Sequence, residues 1–125
     1  MSVSIFHIGL SLDHPLIPAE ERPKIEKRLR DLQERMTRAG YQYEIIQATP
    51  ETGLDDFKHQ LQTQPCDGVL IGGGVVGNEA MSYFMEQIIN TTHEVAPKAK
   101  IMFHNHSVDV RTIVERWFGS RPDVT

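Results

Sequence analysis

Three of the six histidines fall in short polar segments that could do chemistry. His104 and His106 stand two apart in "FHNHS", so in extended backbone their side chains leave in the same direction. His14 directly follows Asp13 in "GLSLDHP". Imidazole changes charge near neutrality, which makes His104, His106 and His14 candidate acid–base groups. Asp13 is the carboxylate that would orient one of them. The same set could ligate a metal, since neutral imidazoles and a carboxylate are suitable donors. No H-E-x-x-H or Cys/His framework accompanies it, so no metal is expected. His7 lies inside the first strand and is expected to be a satisfied core or interface histidine. His59 and His93 are expected on helix surfaces. Ser11 lacks a G-x-S-x-G elbow and is read as a ligand contact, not as a nucleophile.

A second feature is "IGGGVVGNEA", residues 71–80. Gly72, Gly74 and Gly77 satisfy the spacing G-x-G-x-x-G. Glycines between a strand and a helix free backbone N–H groups to meet an anion, and the helix start adds its positive end. Gly72, Gly73, Gly74 and Gly77 are therefore candidate contacts to a phosphate or carbonyl oxygen, with Asn78, Glu79 and Asn105 beside them. A nicotinamide dinucleotide is not expected. Its fingerprint follows the first strand of the unit, whereas this one follows the third. The acidic residue that should hold a ribose is replaced by His104-Asn105-His106. The structural alternative is that the glycines only let the chain turn sharply and the next helix pack close. No cofactor is expected.

These residues must be positioned by regular elements. Val3 to Leu10 reads as a strand covered on both faces. Pro18 to Ala39 reads as a helix, with Ile25, Leu29, Leu32 and Met36 as its apolar stripe and Gly40 as its terminator. Tyr43 to Thr49 is the second strand. Leu54, Phe57 and Leu61 mark a second helix ending before Pro65. Asp67 to Gly72 gives a third strand and Asn78 to about Val95 a third helix. Lys100 to His104 gives a fourth strand, and Ser107 to Phe118 a fourth helix with Ser107 as its N-cap.

Strict alternation of strand and helix with short connections calls for a parallel sheet with helices on both faces. Right-handed crossovers leave the order 2-1-3-4 as the simplest doubly wound solution. The expectation is one α/β domain over residues 1–119, a three-layer sandwich of four parallel strands, with a short tail at 120–125. The whole chain resembles a trimmed flavodoxin-like or Rossmann-like fold. That resemblance is architectural and carries no function. Ligands of such sheets sit beyond the carboxyl ends of the strands, where the strand order reverses. Here that is the crevice between strands one and three. Gly9 to His14, Gly72 to Glu79 and His104 to Ser107 converge there, with Ala48 to Gly53 on one flank. The opposite edge carries the blander set Tyr41, Cys66 and Pro97.

Familiar functions of this shape are disfavoured one by one. A receiver domain needs an aspartate after strand three, where Gly72-Gly73-Gly74 stands. A low-molecular-weight phosphatase needs a cysteine-initiated loop after strand one, and a flavodoxin needs its phosphate loop there. A Walker A lysine is missing as well.

Composition sets wider bounds. A chain of 125 residues with net charge −4 gives no electrostatic reason to expect nucleic acid. No apolar run approaches the roughly 18 residues of a membrane span. Met1-Ser2-Val3-Ser4 lacks a basic n-region, so no signal peptide is expected. The single cysteine, Cys66, fits a reducing cytosol. The last helix should turn positions 110, 113, 114 and 117 inward, and the apolar fourth strand "KIMFH" lies at a sheet edge. A homodimer through strand four, helix four or helix three is expected. The functional expectation is a small cytoplasmic enzyme acting on an anionic or carbonyl-bearing metabolite. A non-catalytic small-molecule sensor and a ligand-free assembly module are the alternatives.

Overall fold

Val3–Leu10 forms β1, and almost every residue in it is buried because it lies inside the sheet. On one side it pairs in parallel with β2 (Tyr41–Ala48), from Val3 opposite Tyr41 to Leu10 opposite Ala48. On the other it pairs with β3 (Gly68–Ile71), Ile5 standing opposite Gly68. The outer strand β4 (Lys100–Phe103) pairs with β3, again in parallel. The order is β2-β1-β3-β4, as the alternation of elements requires. This computed structural model describes residues 2–120. All but Ser120 of the expected tail therefore lies outside the described residues.

Side chains alternate across β1 and so serve two cores. Phe6, Ile8, Val69 and Ile71 pack on one face with α2 (Asp55–Thr63) and α4 (Ser82–Val95), which supply Phe57, Phe84 and Ile88. Ile5, Leu70 and Met102 pack on the other with α1 (Arg22–Arg38) and α5 (Val110–Phe118), which supply Met36, Ile113 and Val114. The result is a doubly wound, flavodoxin- or Rossmann-like three-layer sandwich. Within the described residues no helix is long and apolar enough to cross a membrane.

Local chemistry sets the ends of these elements. The chain enters α1 through a 3₁₀ turn at Ala19–Glu21 and leaves it at Gly40, whose φ of +93° suits a residue without Cβ. The Gln33 amide donates to the Tyr43 carbonyl, fastening α1 to β2.

The third helix of the sequence reading is in fact three pieces. A four-residue helix α3 (Gly73–Val76) comes first, then a 3₁₀ turn at Glu79–Met81, then α4. Gly77 ends α3, and the Asn78 side chain accepts the Ala80 N–H and starts a new turn. The cap of α5 also moves, from Ser107 to Asp109. The Ser107 N–H is held by Asn105 Oδ1 in a turn ahead of the helix. The Asp109 carboxylate reaches across to Arg35 of α1 at 2.5 Å.

At the far end of α5 the expected inward Trp117 faces out, 52 % exposed. Phe118 turns in instead. A Cβ on Gly68 would stand 3.1 Å from Phe118 Cε2 and 2.7 Å from Met102 Cε, so the missing side chain of Gly68 is the slot that both occupy.

Candidate functional site

β3 ends at Ile71, and the Gly72 N–H continues the ladder by donating to the Ile8 carbonyl at 2.7 Å. The Gly72 carbonyl then accepts from Val75 and Val76, and Gly77 donates to the Gly73 carbonyl. The N–H groups of Gly72, Val75, Val76 and Gly77 are thus engaged within the protein. Of the described glycines only Gly40, Gly53 and Gly119 have positive φ. Gly72, Gly73, Gly74 and Gly77 are not there to relieve backbone strain.

What Gly73 supplies is room. A Cβ there would lie 2.7 Å from His104 Nδ1 and 2.7 Å from two atoms of the His106 ring. Both imidazoles rest on the bare Gly73 backbone, their ring centroids 4.7 Å apart. The same-side placement expected from their two-residue spacing therefore holds. Gly74 is exposed, and a Cβ there would meet only Leu10 Cβ, at 3.5 Å.

Burial holds the His104 pKa below the ordinary imidazole value, and the His106 and Arg28 charges push it the same way. His104 is therefore neutral at neutral pH and able to accept a proton. It opens onto a groove of about 630 Å³ along the free edge of β4. His104, Asn105, His106 and Arg116 give this groove its polar lining, and Phe103 and Trp117 much of its apolar wall. The groove lies at β4, to one side of the expected crevice between β1 and β3.

The other residues singled out from sequence form separate, smaller arrangements. Ser11 Oγ donates to Asp13 Oδ1 at 2.6 Å, and this bond is the leading reason the Asp13 carboxyl titrates below its usual range. Asp13 is exposed and makes no hydrogen bond to a histidine among the described residues. His14 is buried and meets Glu51 instead, Nε2 to Oε1 at 2.8 Å, while its Nδ1 accepts the Leu16 N–H. Since Nδ1 accepts, Nε2 carries the proton and donates to Glu51. That bond clasps the loop after β1 to the loop after β2. Asn78 and Asn105 spend their side-chain oxygens on their own turns, and Glu79 is exposed. Among the described residues no three His, Cys, Asp or Glu side chains are placed to hold a metal ion.

Three participants were not apparent from the sequence. Glu51 and Arg116 sit in polar segments that look like many others. His7 is buried, as expected of a core histidine, but it is more than packing. Its Nδ1 lies 2.6 Å from the Tyr43 hydroxyl, and burial lowers its pKa to about 4, with the His104 charge a further contribution. Only its parity with Gly9 on β1 could have signalled that it faces the site. Cys66, by contrast, is an inert thiol: burial pushes it up to about 11, and it donates to the Gly68 carbonyl. Comparison with known protein families, curated proteins and solved structures finds no match for this chain.

Proposed function

We propose that the protein is a small-molecule enzyme that moves a proton on an anionic or carbonyl-bearing metabolite, with His104 as the acid–base group. The observation that carries this reading is the seat of His104. A neutral, half-buried imidazole is packed on Gly73 and opens onto a groove that also holds Arg116. Burial that keeps an imidazole neutral leaves its lone pair available as a base near pH 7. Arg116 offers the fixed positive charge that a carboxylate or phosphate needs, and Phe103 and Trp117 offer a surface for the ligand's apolar body. Gly73 acts as the seat of the catalytic ring, and His106 tunes it.

The same edge supports self-association as part of this reading. Phe103 is 46 % exposed on a strand whose outer side is unpaired, the kind of edge that recruits another strand. A homodimer through β4, working in the cytoplasm, completes the proposal.

The test is a thermal-shift screen of carboxylate, phosphate and carbonyl metabolites, followed by turnover of any hit. Activity should rise with pH through a single ionisation below the ordinary histidine value. His104→Gln should abolish turnover, and Arg116→Ala should weaken binding. His106→Gln should move the ionisation upward in pH, because a charge that opposes protonation of His104 is gone. A pH profile that is flat, or one that both histidine variants leave in place, would sink the assignment.

A further inference from the structure

We propose that the notch over Gly9 and Gly72, between His7 and His104, is a subsite for a carbonyl or carboxylate oxygen of the ligand. His7 and Gly9 share one face of β1. Leu70 and Gly72 share that face of β3, and Met102 and His104 continue it from β4. Where β3 would place a side chain between the two histidines there is only Gly72. A Cβ on Gly72 would stand 3.4 Å from His7 Nε2 and 3.2 Å from Gly9 Cα. A Cβ on Gly9 would meet nothing within 4 Å. The floor is therefore bare backbone and the space above Gly9 is open.

A largely buried histidine turns its Nε2 toward that space. His7 is 5 % exposed, and its hydrogen bonding ends at Tyr43; among the described residues Nε2 has no partner. Burial raises the Tyr43 hydroxyl pKa, so it stays protonated. A phenol is a stronger donor than an imidazole N–H, and an imidazole nitrogen is a stronger acceptor than a phenol oxygen. Tyr43 therefore donates to Nδ1, which leaves the proton on Nε2, toward the notch. Nε2 reaches the open notch, where an incoming acceptor would take the place of solvent on this N–H. The charged group near the far side is Arg28, close enough to His104 to oppose its protonation, and it disfavours an ammonium while favouring an oxygen with negative character. One neutral N–H donor with a guanidinium charge nearby suits a carbonyl or carboxylate oxygen.

The inference rests on reading the His104 end of the sheet as a ligand site and adds the functional group that the ligand must carry. Sodium acetate is the probe, observed through long-range proton–nitrogen spectra of the ¹⁵N-labelled full chain at pH 7.5. Before addition, His7 should show the Nε2-protonated tautomer. Acetate should shift the His7 Nε2 signal saturably, and sodium chloride at equal ionic strength should not. Gly9→Ala puts a methyl group into open space, so the fold should survive while acetate affinity falls at least tenfold. His7→Phe should abolish the effect on the His104 signals. The subsite is overturned by a His7 signal unmoved at about 100 mM acetate, by an equal response to chloride, or by unchanged affinity in Gly9→Ala. Arg116→Ala separates the two readings. Acetate shifts that persist while groove ligands are lost support the subsite. Loss of the acetate shifts with turnover of a groove ligand intact would overturn the subsite alone.

Discussion

A histidine largely buried in the interior strand β1 makes the protein sensitive to acid in a predictable direction. In the unfolded chain His7 takes up a proton as pH falls through about 6.5, the ordinary value. In the folded protein it does so only near pH 4. Between those values the unfolded state binds more protons, so the stability contributed by neutral His7 is complete above about pH 6.5 and is lost as pH falls toward 4. The shift corresponds to roughly 3 kcal/mol. Urea unfolding at about pH 7 and pH 4 should show the wild type losing that much more than His7→Phe. Equal losses would mean that His7 is not held neutral by the fold. At this scale the sequence was informative where spacing is local. His104 and His106 lie together as their spacing suggested, although the chain turns at His106 and both rings meet over Gly73. The partners of His7 and His14 lie 36 and 37 residues away, and no local pattern marks Tyr43 or Glu51 among similar residues.

Within α3, neighbouring glycines have opposite tasks. Gly74 is exposed with room for a methyl group, so Gly74→Ala should stabilise the protein by about 0.5–1 kcal/mol through lower unfolded-state entropy and better helix propensity. Gly73→Ala drives a methyl group into both imidazoles and should cost about 1–3 kcal/mol. Thermal and urea unfolding of the two variants decide the matter, and shifts of the same sign would remove the account of Gly73 as a seat. The element pattern itself was legible, because period and turn residues are local properties. β1 was placed at Val3–Leu10 from its nearly continuous apolar character. The breaks inside Gly73–Val95 were not visible, since a glycine run reads alike as a loop or a tight helical turn until its hydrogen bonds are known. Trp117 and Phe118 changed places for a reason that lies in another element, the empty side of Gly68 in β3.

Taken whole, the topology followed from alternation and handedness, which admit few solutions. The position of the groove did not, because it depends on how far α5 reaches across the edge of β4. That edge is also where the proposed self-association would take place. Light scattering should report a dimer at micromolar concentration, and Phe103→Lys should give a monomer; a monomeric wild type would dismiss the pairing. Should two copies meet there about a two-fold axis, symmetry makes the joined β4 strands antiparallel even though each sheet is parallel. Opposed side chains must share a sheet face, so the axis passes through a residue; with Met102 on it, Lys100 falls opposite the partner's His104. Lys100 now lies 5.9 Å from the centre of the Trp117 ring. The two histidine sites would then point to opposite ends of one eight-stranded sheet. They could not share a substrate, but each would gain the other's lysine: a reciprocal loan of a second cation beside the Arg116 that each copy already holds.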